Sequence, residues 1–274
     1  MAKALFTVLF ILTCVAVLSA HDMFLKLTSF LLAPNANVSM ALYNGTFEKS
    51  ENFITRDRML DVSIVGPGSE RVHPDTSQWR NAGATTMLDF KTGDSGTYVV
   101  GVSTKARMIA LSAKDFNEYL IHDGLLDVLE ARKKNNELEK DARELYSKHV
   151  KAIIQVGDKR SDGYKANLGY PIEIIPLQNP YTLKAGEDLA VQVLRDGKPV
   201  AKQLVYGSYA GYHGHDDEGD HVEAVKIRTD EAGIAKIKLE KSGQWYIRLI
   251  HMVASDKNDV DYESNWATLT FEVN

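Results

Sequence analysis

The sequence is 274 residues long, 44% hydrophobic and 25% charged, with a formal net charge of −5 and a single cysteine, Cys14. An acidic balance argues against a phosphate-backbone partner, so no nucleic-acid target is expected. One cysteine excludes a disulfide framework and a thiolate zinc site, leaving ordinary apolar cores to supply stability.

The chain opens with "MAKALFTVLFILTCVAVLSA": a lysine at position 3, an apolar run from Ala4 to Leu18, then the small residues Ser19 and Ala20. This order of basic, apolar and small residues predicts a secretory signal peptide over 1–20, cut after Ala20 to leave His21 first. The run is short for a membrane span, which takes about 20 apolar residues. The rival reading, a lipidated Cys14, is disfavoured by the preceding "ILT". A periplasmic or secreted protein with no membrane span after signal removal is expected.

From 21 to 113 short alternating segments such as "VSMALYNG", "LDVSIVGPG" and "TYVVGVST" are separated by Asn-Gly, Pro-Gly and Gly-Asp turns, which predicts a β-sandwich domain. From 114 to 149 the apolar residues fall at helical spacing, through Phe116, Tyr119, Leu120, Leu125, Val128, Leu129, Leu138, Ala142 and Leu145. This predicts an insertion of two or three helices with a charged, solvated face. A returning strand, "VKAIIQVG", and a linker-like stretch fill 150–170. From 171 to 274 the β pattern resumes in a second sandwich domain. "VSMALYNG" echoes "AVQVLRDG", and "SGTYVVGV" echoes "SGQWYIRL", at a nearly constant offset. The fold class is therefore mainly β: two β-sandwich (Ig-like) domains with a helical insertion between them.

Together, "HDMFLK" after the signal, "FNEYLIHDGL", "ARELYSKHVKAIIQVG", "LGYPIEIIPLQNPYTLKAGEDLAVQVLRDGKPV", "RTDEAGIAKIKLEKSGQWYIRLIHM" and "YESNWATLTFEV" resemble a bacterial periplasmic family. It is a domain-of-unknown-function family labelled nickel-uptake (NikM-type) or cobalt/nickel transport-associated. The resemblance implies an exported metal-binding accessory, with a membrane transporter component as partner. At His122 and Asp123, where acidic residues are expected, the chain departs by its histidine, and it departs again at His149, where an aromatic is common.

A histidine at a free chain terminus offers its α-amine and ring Nδ1 to one metal in a six-membered chelate, which makes His21 the leading candidate ligand. Asp22 follows as a ligand or as the acceptor that orients His21. His251, in "RLIHM", is a strand histidine that the family resemblance also places, and its imidazole suits nickel, copper or zinc. Adjacent Met252 would favour cuprous copper but reads first as core. "YHGHDDEGDH" packs three of the eight histidines into ten residues. His213 and His215 are two apart, so an extended chain points both the same way. His221 needs the loop to fold back, and Asp216, Asp217, Glu218 and Asp220 attract cations without selecting one.

The expected ligand is a divalent transition metal, nickel or cobalt first and copper second. No Gly-x-Ser-x-Gly elbow or phosphate loop is present, so a non-catalytic carrier is expected. Two alternatives stand beside it. One is a copper-dependent oxidative enzyme built on the N-terminal histidine chelate; the other is a structural or carbohydrate-binding sandwich without metal. Trp79, Trp245 and Trp266 read as core residues.

Overall fold

The computed structural model describes residues 21–68, 70–215 and 221–274. The expected signal peptide with Cys14, and the loop carboxylates Asp216, Asp217, Glu218 and Asp220, lie outside the described residues. The first half contains β1 (Asp22–Lys26), β2 (Leu31–Leu32), β3 (Asn37–Gly45), β4 (Met59–Val65), β5 (Arg71–Val72), β6 (Trp79–Ala82), β7 (Thr85–Lys91), β8 (Gly96–Thr104) and β9 (Arg107–Leu111). Two helices follow, α1 (Ala113–His122) and α2 (Leu126–Lys134). The remaining strands are β10 (Ala142–Val156), β11 (Ile172–Pro176), β12 (Asp188–Arg195), β13 (Lys198–Pro199), β14 (Leu204–Tyr209), β15 (Gly214–His215), β16 (His221–Val222), β17 (Val225–Arg228), β18 (Ile234–Lys238), β19 (Gly243–Ala254) and β20 (Tyr262–Val273). The chain is mainly β, as its turn-punctuated alternation predicts.

A ten-stranded central sheet runs in the order β17-β14-β19-β20-β10-β8-β4-β5, with β2 and β9 also paired to β10. Its middle is the parallel pairing of β10 with β20, from Glu144 opposite Tyr262 to Ala152 opposite Thr270. The two halves of the chain therefore meet inside one sheet. Along β10 and β20 even-numbered side chains point to one face and odd-numbered ones to the other. The even face carries an outer sheet, β1-β3-β7-β6, together with α1 and α2. The odd face carries a second outer sheet of β11, β12, β13 and β18. One continuous apolar core, from Met23 through Val150 and Leu189 to Val273, fills the space on both sides of the central sheet.

Two expectations for the middle of the chain are corrected. The second helix ends at Lys134, and residues from Ala142 onward, expected to be helical as far as His149, begin the long strand β10. The linker-like stretch also packs: Tyr164, Leu168 and Tyr170 are all buried over the odd face. Gly101 makes room for them, since a Cβ there would fall 2.1 Å from Leu168 Cδ1.

α1 starts at a sequence-readable cap. Ser112 Oγ accepts from the amide of Asp115, satisfying one of the first-turn donors, and Phe116 and Leu120 on one helix face are fully buried. In the hairpin from β12 to β13, Asp196 and Gly197 form a two-residue loop with φ of 48° and 74°, between the pairs Arg195–Lys198 and Leu194–Pro199. Positive φ at both positions is the type I′ geometry that Asp-Gly favours. No helix among the described residues is long and apolar enough to cross a membrane.

Candidate functional site

β1 is the edge strand of its outer sheet, so one row of its carbonyls lacks strand partners. Side chains from the central sheet fill that role. Thr268 Oγ1 donates to the Met23 carbonyl and Thr270 Oγ1 to the Leu25 carbonyl, each at 2.7 Å. Lys148 Nζ donates to the carbonyl of His21. This row of three donors ties the start of β1, and the His21 backbone with it, to β10 and β20.

The His21 ring contacts the Glu51 carboxylate through Nε2. An ionised carboxylate only accepts, so Nε2 carries a proton, and in the neutral ring Nδ1 is then the nitrogen with the lone pair. Glu51 lies just beyond β3, its amide bonded to the Asn44 carbonyl at 2.9 Å. The sequence offered no motif for this partner, which comes close only because β3 pairs with β1.

Asp22, the expected orienting partner of His21, faces elsewhere. Its carboxylate lies 3.5 Å from Arg248 Nη1, which also approaches Asp123 at 3.3 Å, while Arg248 Nε donates to Glu223 at 2.6 Å. Burial pushes the Asp22 carboxyl up to about 6, with Arg248 opposing and Asp123 adding to the rise. Three carboxylates thus converge on a guanidinium. The arginine sits where a cation would be attracted.

His251 is separated from His21 by the central sheet. In β19 the even-numbered Tyr246 and Arg248 face β1, through Phe24 and Asp22. The odd-numbered His251 faces the other way, where its Nδ1 meets Gln203 Oε1 at 2.9 Å. Burial, and then the charge of Arg195, push its pKa down to about 4, the mark of a neutral ring held in a hydrogen bond. Met252 is buried among the residues that pack against α1.

The histidine-rich stretch forms a small hairpin in which His215 is paired opposite His221; their side chains are outside the described set. His213 is exposed. Both ends of the hairpin are rooted beside the start of β1. The Gly211 amide donates to Glu48, three residues before Glu51, at 3.0 Å, and Glu223 joins the Arg248 group that holds Asp22. The structure therefore brings the hairpin base, but not His251, to the neighbourhood of His21. Among the described residues no three His, Cys, Asp or Glu side chains converge as a ready-made metal set.

Behind His21 opens a cavity of about 380 Å³ on the even face, between β1, β9, β10, β20 and α1. Its walls include Met23, Ile54, Ile109, Leu111 and Trp266, with Arg58, Arg107, Glu144 and Lys148 among the charged groups. Burial pushes the Glu144 carboxyl up to about 7, against hydrogen bonds from Ser264 and Tyr119 that favour its charged form. Burial lowers Lys148 to about 8, with Asp22 opposing and the nearby Arg58 contributing. Lys148 Nζ also lies 5.3 Å from the Trp266 ring centre. Trp266 is thus a wall of the cavity as well as a core residue.

Residues 18–253 match the sequence family described as Domain of unknown function (DUF4198). No curated protein matches. Among solved structures, the D0-D1 domain of Intimin shares 13% identity over 91% of this chain and 97% of that one, with a TM-score of 0.20. FdeC, an Escherichia coli adhesin, shares 12% identity over 92% of this chain and 63% of that one, at a TM-score of 0.22. The D00-D0 domain of Intimin gives 10%, 92%, 98% and 0.19 in the same order. At these TM-scores the chains do not superpose as whole folds.

Proposed function

The chain belongs to the DUF4198 family, a domain of unknown function, and we propose that it is an exported, non-catalytic protein that carries a divalent transition metal. Nickel or cobalt is the first choice of cargo and copper the second, handed on to a membrane transporter component as the nickel-uptake label suggests. The compartment is the periplasm or the exterior, reached through the segment 1–20. The architecture suits two related β-sandwich halves, 21–113 and 171–274, built on one shared sheet.

One observation carries this reading: Glu51 holds the His21 ring by Nε2 and leaves Nδ1 open. Cleavage after Ala20 would place a free α-amine beside that nitrogen, and the two close a chelate ring on one metal. A carboxylate that binds the far ring nitrogen fixes the tautomer and raises ligand basicity, the usual support for a metal-bound histidine. Two protein donors leave most of the coordination sphere to water or other small ligands, which fits a cargo that must be released. His213 and His215, on the hairpin rooted beside Glu48, would gather metal next to this chelate. Asp22 keeps a structural part, holding the start of β1 to Arg248.

The position of His251 weighs against a copper oxidative enzyme, because the second histidine expected for a two-histidine brace faces the opposite side of the sheet. The test is calorimetric titration of nickel, cobalt and copper into mature protein that begins at His21. A second protein keeping Met ahead of His21 serves as control. One-to-one binding that the added residue abolishes supports the reading. Equal binding by both proteins, or none by either, overturns it.

A further inference from the structure

We propose that the cavity behind His21 is a binding site for a small organic carboxylate with an apolar body. Three cations reach this space, and none of them is paired with a carboxylate among the described residues. Arg58 Nη1 donates to the Lys105 carbonyl at 3.2 Å. Lys148 spends its donors on the His21 carbonyl and on Asn44 Oδ1 at 3.5 Å. The Arg107 guanidinium makes no hydrogen bond among the described residues, and both guanidinium groups line the same cavity.

The cations also act on one another. Burial lowers the pKa of Arg58, and the charge of Arg107 adds to the fall while Tyr146 opposes it. Such repulsion persists in a fold when an anion relieves it, and a carboxylate is the planar anion that a guanidinium fork grips through two parallel bonds. The one acid in the lining, Glu144, already accepts from Ser264 and Tyr119 at the buried end of the space.

The remaining walls choose the body of the ligand. Ile54, Ile109, Leu111 and the Trp266 ring are apolar surfaces, and Phe53, 46% exposed, stands at the lining without a closed core around it. A volume of about 380 Å³ lies at the small end of ligand pockets, which run to roughly 1,000 Å³. Phosphate would satisfy the arginines but leave these walls wet, and a neutral apolar molecule would leave Arg58 and Arg107 without a carboxylate partner. This site depends on the cavity alone and stands whether or not His21 binds metal.

The experiment uses the mature chain in excess EDTA, so that failure of the metal reading cannot be confused with failure here. Benzoate and hexanoate are titrated by heteronuclear NMR, with benzamide and inorganic phosphate as controls. Saturable one-to-one binding of a carboxylate is expected, with shifts at the Trp266 indole and with benzamide and phosphate at least tenfold weaker. Arg107→Met should weaken binding about tenfold, the loss expected for one charge-assisted contact. Arg107 heads β9, and its exposed side chain lets the variant keep its fold, which circular dichroism checks. Absence of saturable carboxylate binding overturns the proposal. So does phosphate binding as tightly, or an Arg107→Met protein that binds unchanged.

Discussion

Glu51 and His21 are joined beside the β1–β3 pair, with the carboxylate on Nε2 and Nδ1 left as the second ring nitrogen. Glu51→Ala removes the group that sets the tautomer. Nickel affinity of the mature protein should fall by about 10- to 100-fold, the loss typical for a partner of a ligating histidine. Glu51→Gln keeps an acceptor and should lose less. Calorimetry on the two variants gives the order, and equal affinity in both and in wild type would remove Glu51 from the site.

His251→Ala should leave metal affinity unchanged, since the central sheet stands between it and His21. The same titrations should show affinity falling from about pH 7.5 to about 5.5, because protons compete for an α-amine whose ordinary pKa is about 7.7–8.0. A flat profile would point instead to carboxylate coordination.

His251 should reveal itself in stability. Its folded pKa is about 4 against an ordinary 6.5, so the unfolded chain takes up the proton first as pH falls. The neutral ring's contribution is complete above about pH 6.5 and is lost progressively toward pH 4. His251→Gln can keep a hydrogen bond to Gln203 without titrating. Urea midpoints between pH 7 and 4 should therefore depend less on pH in the variant than in wild type.

Glu144 has the opposite sign. Its folded pKa is raised to about 7 from 4.5, so the folded state holds the proton more tightly and stability is lost as pH rises through this window. Glu144→Gln keeps an oxygen to accept from Ser264 and Tyr119. The variant should match wild type near pH 4 and exceed it near pH 8 by roughly 2–3 kcal/mol. Urea denaturation at the two pH values measures the difference, and a constant offset would show that burial of charge is not the cause.

Lys151 and Glu173 form an ion pair at 2.8 Å with side chains 4% and 2% exposed, linking β10 to β11. Lys151→Met leaves a buried carboxylate with only the amides of Leu168 and Tyr170, and should cost about 3 kcal/mol or more. Adding Glu173→Gln removes the stranded charge, so the double variant should be the more stable of the two. Thermal unfolding of both proteins tests the order.

The strands with clean punctuation were legible in the sequence. Asp196-Gly197 announced its hairpin because few residues other than glycine, asparagine and aspartate accept positive φ. The stretch from Leu138 to His149 was not legible, and the reason is chemical. Glu144, Lys148 and His149 are polar residues that β10 buries, so the strand lacks an apolar alternation and its charges resemble a solvated helix face. Glu144 and Lys148 also line the cavity. The misread strand and part of the cavity wall are therefore one stretch, where side chains line a pocket rather than fill a core. His21 could be proposed from sequence because the expected cleavage point after Ala20 is written in the residue order. Glu51 was missed because only the pairing of β1 with β3 brings it near.

The parallel seam between β10 and β20 also governs when this protein can fold. Parallel neighbours cannot form a local hairpin, and here more than a hundred residues separate them, a high-contact-order arrangement of the kind that folds slowly. Half of the central sheet waits on a strand, Tyr262–Val273, that leaves the ribosome after everything it must bind. Thr268 and Thr270 of that same strand hold β1 in place, so the first and last strands become ordered together. Until then the edge of β10 from Glu144 to Ala152 has no strand partner, so the middle of the sheet is the last part of it to close.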